Sequence, residues 1–151
     1  MNNIDQFWNE FITHTGRSKE TKYVAVFHFE LSERLANALL DLVLKGQKRA
    51  TAASLDSFKL TGDPIPKKGD LNIITDWDGV PRCVVETKQV TILPFKDMTY
   101  DICKREGEDD DLESWKRGHQ RFYTNEGKEL GYTFTEDMLV VFEDFEVVYK
   151  K

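Results

Sequence analysis

The stretch Leu71-Asn72-Ile73-Ile74-Thr75-Asp76-Trp77-Asp78-Gly79-Val80-Pro81-Arg82-Cys83-Val84-Val85-Glu86-Thr87 decides the fold, because two runs of strand composition flank a turn signal. β-Branched residues are frequent on both sides, and Asp76-Trp77-Asp78-Gly79 predicts a hairpin turn between them. Pro81 falls at the start of the second strand, where its missing donor is tolerated. Residues 90–93 read as a further strand. These connections are too short for crossover helices, so the strands are expected to pair antiparallel, which excludes a Rossmann-like sheet.

Outward from this hairpin, residues 61–70 are dense in turn formers (Gly62, Pro64, Pro66, Gly69) and read as a structured loop into the sheet. Residues 22–29 have strand composition, with His28 on the opposite face from Phe27 and Phe29. Ser32 is placed to cap a helix carrying Leu35, Leu39, Leu40 and Val43, and Gly46 follows as its left-handed end. Ile4, Phe7, Trp8, Phe11 and Ile12 recur at helical spacing over residues 4–14, a face that must dock on the domain. Residues 15–19 break the pattern as a loop. Downstream, residues 97–105 suggest a short helix, and Asp110 with Glu113 reads as the capping box of a helix over 112–130. That helix carries Trp115, His119, Phe122, Tyr123 and Glu126 along one stripe, a pattern that either packs on the sheet or presents polar ring atoms to a cleft. Residues 138–142 and 145–149 supply strand residues divided by Glu143-Asp144, and a closing strand or hairpin is expected.

A chain of 151 residues with 40% hydrophobic content is long enough for one domain with a real core. It has no internal repeat and no low-complexity linker, so residues 1–151 read as a single domain. Twenty-one Lys and Arg against 27 Asp and Glu give a net charge of -6, which opposes non-specific attraction to phosphate backbones and anionic lipid. Cys83 and Cys103 lack metal-ligand spacing and are expected to be free. No basic start with an apolar core opens the chain, and no run is long enough to span a bilayer. The cytoplasm is therefore the expected compartment, with no membrane partner.

His14, His28 and His119 are too scattered for a metal site, and no glycine-rich phosphate loop or nucleophile elbow is present, so no metal and no cofactor is expected. A Lys, Thr and carboxylate set remains. A lysine amine acts as a general base once its surroundings favour the neutral form, and Lys48 stands between Lys45 and Arg49. Thr51 is three residues on, so one helical turn would put both side chains on a common face. Its hydroxyl is the group such a base activates. Glu106 or Glu108 is the candidate proton donor.

Gly46-Gln47-Lys48-Arg49-Ala50-Thr51, Pro66-Lys67-Lys68-Gly69-Asp70, Glu106-Gly107-Glu108 with Trp115, His119 and Phe122-Tyr123, and the run from Val140 to Val148 together resemble a bacterial ASCH-domain protein. The resemblance spans residues 23–149 and leaves the N-terminal helix, about residues 1–16, as an extension. It implies an α+β fold, a PUA-like closed or partly closed mainly antiparallel β-barrel with flanking helices. One small-protein branch resembles an amidohydrolase that deacylates N4-acetylcytidine with a lysine base, a threonine nucleophile and a glutamate acid. These roles carry over to Lys48, Thr51 and Glu106, with Arg49, Trp115, His119 and Tyr123 as substrate-binding candidates. Arg49 or a backbone amide would stabilise the oxyanion. The implied partner is a modified nucleoside or RNA. The alternatives are a non-catalytic RNA- or nucleotide-binding module, in which Lys48 and Arg49 contact phosphate while Trp115 and Tyr123 stack on a base, and a metal-dependent ribonuclease using Glu106, Asp109 and Asp110.

Overall fold

The computed structural model describes residues 3–29 and 32–151, so the first two residues of the N-terminal extension lie outside the described residues. In chain order the elements are α1 (Asn3–Thr15), β1 (Ala25–Phe27), α2 (Glu33–Leu44), β2 (Ala50–Ser54), α3 (Leu55–Thr61), β3 (Leu71–Thr75), β4 (Pro81–Pro94), α4 (Tyr100–Cys103), α5 (Leu112–Leu130) and β5 (Leu139–Lys150). The central hairpin forms as read: β3 and β4 are antiparallel with Ile73 opposite Val84. Asp76 Oδ1 closes its turn by accepting from Asp78 N and Val80 N, each at 3.0 Å.

Beyond this hairpin several expectations are corrected or narrowed. The runs 82–87 and 90–93 are one strand, as are 138–142 and 145–149. Register shifts at Val84/Val85 and Thr87/Gln89 in the β4–β5 ladder bend the strands without ending them. The sheet, in the order β1-β3-β4-β5-β2, curls into a half-barrel with β1 and β2 as its edges, which is the partly closed rather than the closed of the two expected forms. The strand expected over 22–29 shrinks to three residues and runs parallel to β3. Parallel pairing is possible there because α2, β2 and α3 together supply the crossover from β1 to β3.

The concave side encloses a cavity of about 310 Å³ to which every strand contributes: Phe27, Thr51, Asn72, Val85 and Glu143 in turn, with Phe58 from α3. Helices cover the rest of the sheet. Phe7, Trp8, Phe11 and Ile12 of α1 pack on Leu71, Ile73 and Val84. α2 buries Ala36, Leu40 and Val43, with Leu40 and Val43 against Ile74, Cys83 and Val85, whereas Leu35 is 46% exposed and leaves the expected stripe. Trp115 and Tyr123 of α5 pack with Phe95, Val140 and Phe142. Both cysteines are free and buried. No helix among the described residues is long and apolar enough to cross a membrane.

The cap of α5 sits one residue later than the capping-box reading. Asp111, not Asp110, accepts from Ser114 N at 2.8 Å. Asp111→Ala is therefore expected to cost about 1 kcal/mol of stability in urea unfolding, and Asp110→Ala less than about 0.5 kcal/mol. Equal losses would contradict this cap.

Candidate functional site

The site begins where α2 ends. Gly46 adopts a left-handed φ of 82°, and the Leu42 carbonyl accepts both Gln47 N at 2.9 Å and Lys48 N at 3.0 Å, so the chain leaves the helix along a fixed path. It then enters β2 rather than a helical turn, because Ala50 to Ser54 pair with Asp144 to Val140 of β5. This corrects the expectation that Lys48 and Thr51 share a face. Ala50 and Ala52 pack with the cluster of Trp115 and Phe142, so Thr51 between them turns to the cavity.

A second segment is laced onto this one. Arg105 O accepts Arg49 N at 3.0 Å, and Gly107 O accepts Gln47 Nε2 at 2.8 Å. Gly107 has φ 74°, and a Cβ there would lie 2.3 Å from the Gln47 carbonyl oxygen, so only glycine permits this approach. The result brings Glu106 and Glu108 to Lys48 across some sixty residues of sequence.

Lys48 is 2% exposed. Its Nζ donates to Glu108 Oε2 at 2.6 Å and to Ala50 O at 2.8 Å, lies 3.8 Å from Glu106 Oε2, and stands 5.5 Å from the Phe29 ring centroid. Its close charged partners are thus carboxylates, not the cations Lys45 and Arg49. Ala50 O belongs to the peptide that leads into Thr51, so the ammonium sits one peptide unit from the Thr51 Cα. Lys48 and Thr51 share no hydrogen bond, and Thr51 makes no side-chain hydrogen bond among the described residues.

Glu106 is buried behind this pair. Its Oε1 accepts from Trp115 Nε1 at 3.0 Å and lies 3.3 Å from His119 Nε2. His119 Nδ1 lies 2.9 Å from the Trp115 carbonyl, and the two rings stack at 4.0 Å. A carbonyl and a carboxylate only accept, so the imidazole satisfies both as the doubly protonated cation. Burial opposes that cation, but the hydrogen bond and charge of Glu106 outweigh it and raise the His119 pKa above its ordinary value. Burial likewise favours the neutral acid of Glu106, yet His119, Lys48 and the Trp115 N–H together hold its carboxyl below the usual range. Glu108 moves the other way: burial, with the charge of Glu106 added, lifts its carboxyl despite Lys48. Two carboxyls pushed apart in this way can divide the roles of fixed anion and proton carrier.

A pH dependence follows. Because His119 binds its proton more tightly when folded, its contribution to stability is complete below about 6.5 and is lost as pH rises through the raised value. The stability difference between the native protein and His119→Gln should therefore shrink with rising pH. A difference that is flat or grows would contradict the Glu106–His119 pair.

The remaining candidates fall in different places. Trp115 and Tyr123 are fully buried, so their ring donors stand behind Glu106 rather than on an open cleft wall, and Tyr123 Oη has no hydrogen-bond partner. The Arg49 amide is taken by Arg105 O, which leaves its exposed guanidinium as the only part of the residue free to meet a ligand. Glu108 was one of two options in sequence, and its closer contact with Lys48 is visible only in three dimensions. Among the described residues, no group of three or more His, Cys, Asp or Glu side chains is arranged to hold a metal ion.

A curled five-strand sheet with flanking helices, a cavity on its concave side and, at a separate groove, a buried lysine held between two carboxyls define an α+β domain. A family model for the ASCH domain matches residues 6–149, and the chain belongs to the ASCH domain family. It is similar to an ASCH domain from Lactobacillus crispatus JV V101, with 34% identity, coverage of 97% of this chain and 94% of the other, and a TM-score of 0.85. It is also similar to a protein from Enterococcus faecalis V583, with 32% identity, coverage of 97% and 88%, and a TM-score of 0.87. No curated protein matches the chain.

Proposed function

We propose that this protein is an amidohydrolase that removes an acyl group from a modified nucleoside, with N4-acetylcytidine as the substrate to test. The observation that carries this reading is the position of Lys48 Nζ, bonded at once to Glu108 and to the carbonyl of the peptide entering Thr51. When the shared proton rests on Glu108, Lys48 is a neutral amine. It takes the Thr51 proton as Oγ1 attacks the acyl carbonyl, and the oxygen–carbon bond forms. Glu108 then protonates the departing amine as the carbon–nitrogen bond breaks. The proton that Lys48 took from Thr51 passes to Glu108, and the neutral amine then takes a proton from a water whose oxygen attacks the acyl carbon. Lys48 returns that proton to Thr51 Oγ1 as the ester bond breaks, releasing the carboxylic acid, which ionises in water. Glu106 remains an anion throughout, holding Lys48 and His119 in place. Nζ engages Ala50 O, so the reaction requires it to shift to the Thr51 hydroxyl.

Cytidine release from N4-acetylcytidine tests this reading. The native protein is expected to turn it over, and Lys48→Ala to lose about 100- to 10,000-fold in kcat. Turnover that survives Lys48→Ala would sink it.

A second reading, an RNA-binding module, is favoured by one surface feature. A groove of about 620 Å³ is lined by Lys45, Lys48, Arg49, Lys88 and Lys150 against a single acid, Glu146. Such a rim suits a phosphate backbone, and binding to single-stranded RNA should weaken steeply with salt. Absence of binding at low salt would remove this reading. The ribonuclease alternative gains no support, since among the described residues no group of three or more His, Cys, Asp or Glu side chains gathers for a cation.

A further inference from the structure

The half-barrel cavity carries a chemical signature separate from the Lys48 cluster. Its walls include the rings of Phe27, Phe58 and Phe145, and the carboxyls of Asp63, Asp70 and Glu143, but no lysine, arginine or histidine. All three carboxyls are engaged, Asp63 Oδ2 accepting from the Thr61 hydroxyl at 3.0 Å. Asp70 accepts from Lys67 N at 3.0 Å and pairs with Lys67 Nζ at 3.3 Å, and Glu143 Oε2 accepts from the Thr87 hydroxyl at 2.5 Å. Glu143 Oε1 and the side chains of Thr51 and Asn72 make no hydrogen bond among the described residues, although all three residues line the cavity. Partly buried polar groups with spare capacity, set among aromatic rings, are what a small-molecule site presents.

The signs of these groups restrict what fits. Three carboxyls of which only Asp70 has a cation partner among the described residues, Lys67, disfavour a phosphate or carboxylate and accept from N–H donors. Burial raises the Glu143 carboxyl, against the Thr87 hydroxyl and with the Asp70 charge, so an N–H donor or a cation beside it relieves an unfavourable anion. Asn72 can both donate and accept, which suits a ring edge where an amine adjoins a ring nitrogen.

We propose that this cavity binds a flat, neutral or cationic heteroaromatic ring bearing an amino group, held among Phe27, Phe58 and Phe145 and read at its N–H edge by Glu143 and Asn72. The proposal extends the deacylase reading, because Thr51 lines the same cavity, but binding does not require turnover.

Titration of the full chain with cytosine and with uracil, followed by calorimetry and amide chemical shifts, tests it. The two rings share a size and differ at the amino edge. Cytosine is expected to bind about tenfold or more tightly than uracil and to move the amides of Thr51, Asn72 and Glu143. Glu143→Gln should narrow the preference to about threefold or less, and Phe58→Ala, on a helix with no buried residue, should weaken both rings together. Equal affinity for the two rings, shifts confined to other residues, or no binding of either ring would overturn the proposal. Cytosine binding without turnover of N4-acetylcytidine would support this site and sink the deacylase reading alone.

Discussion

Glu106→Ala is expected to destabilise the protein by about 3–5 kcal/mol, the usual cost of removing one partner from a buried ionic cluster. The side chain is 3% exposed and joins three groups, Lys48 after α2 and Trp115 and His119 of α5. Its loss leaves Trp115 Nε1 without an acceptor inside the core, a defect that alone costs about 1–3 kcal/mol. It also removes the anion that keeps the His119 imidazole charged, and leaves Lys48 with Glu108 as its one carboxylate. Glu106→Gln retains a carbonyl for Trp115 and should recover part of the loss. Urea unfolding of the two variants measures both effects. A Glu106→Ala cost below about 1 kcal/mol would show that the cluster does not hold the fold together.

Gly107→Ala should be comparably damaging for a different reason. The φ of 74° disfavours any side chain, and the added Cβ would meet the Gln47 carbonyl oxygen and carbon at 2.3 and 2.8 Å. Backbone atoms cannot rotate aside. A left-handed penalty of about 1–2 kcal/mol and an overpacking cost of about 1–3 kcal/mol add to about 2–5 kcal/mol. The segment must then lift from residues 47–49, carrying both glutamates away from Lys48. Activity is therefore expected to fall further than stability, measured as kcat at a temperature where the variant is still folded. A variant with native melting temperature and native kcat would refute the close approach.

Local signals were legible in the sequence wherever a short stretch determines its own structure. The β3–β4 turn, the docking face of α1 and the Gly46 stop each depend on neighbours a few residues away. Residues 50–54 were ambiguous because Ala-Thr-Ala-Ala suits a helix or a strand, and pairing with β5, some ninety residues later, decides it. The same limit hid α3, which buries no residue and so leaves no apolar stripe. Glu143 and Asp144 left the choice between a closing strand and a hairpin open, because two acids within an apolar run suit either. In the sheet they stay within β5, Glu143 bonded to Thr87 and Asp144 paired with Arg105 at 3.0 Å. Within the site, Glu-Gly-Glu offered two carboxyls, but only the distances separate the buried anion Glu106 from the more accessible Glu108. Trp115, His119 and Tyr123 were recognisable as an unusual stripe of ring donors. Which way they face depends on the burial of Glu106, which no spacing encodes.

The central claim is that Lys48 and Thr51, joined through the Ala50 peptide, form one reactive centre. Steady-state release of cytidine from N4-acetylcytidine by Thr51→Ser and Thr51→Ala tests it most directly. The account predicts that serine, which keeps the hydroxyl, retains turnover within about tenfold, while alanine loses at least about 100-fold in kcat with both variants folded. Native turnover by Thr51→Ala would contradict it.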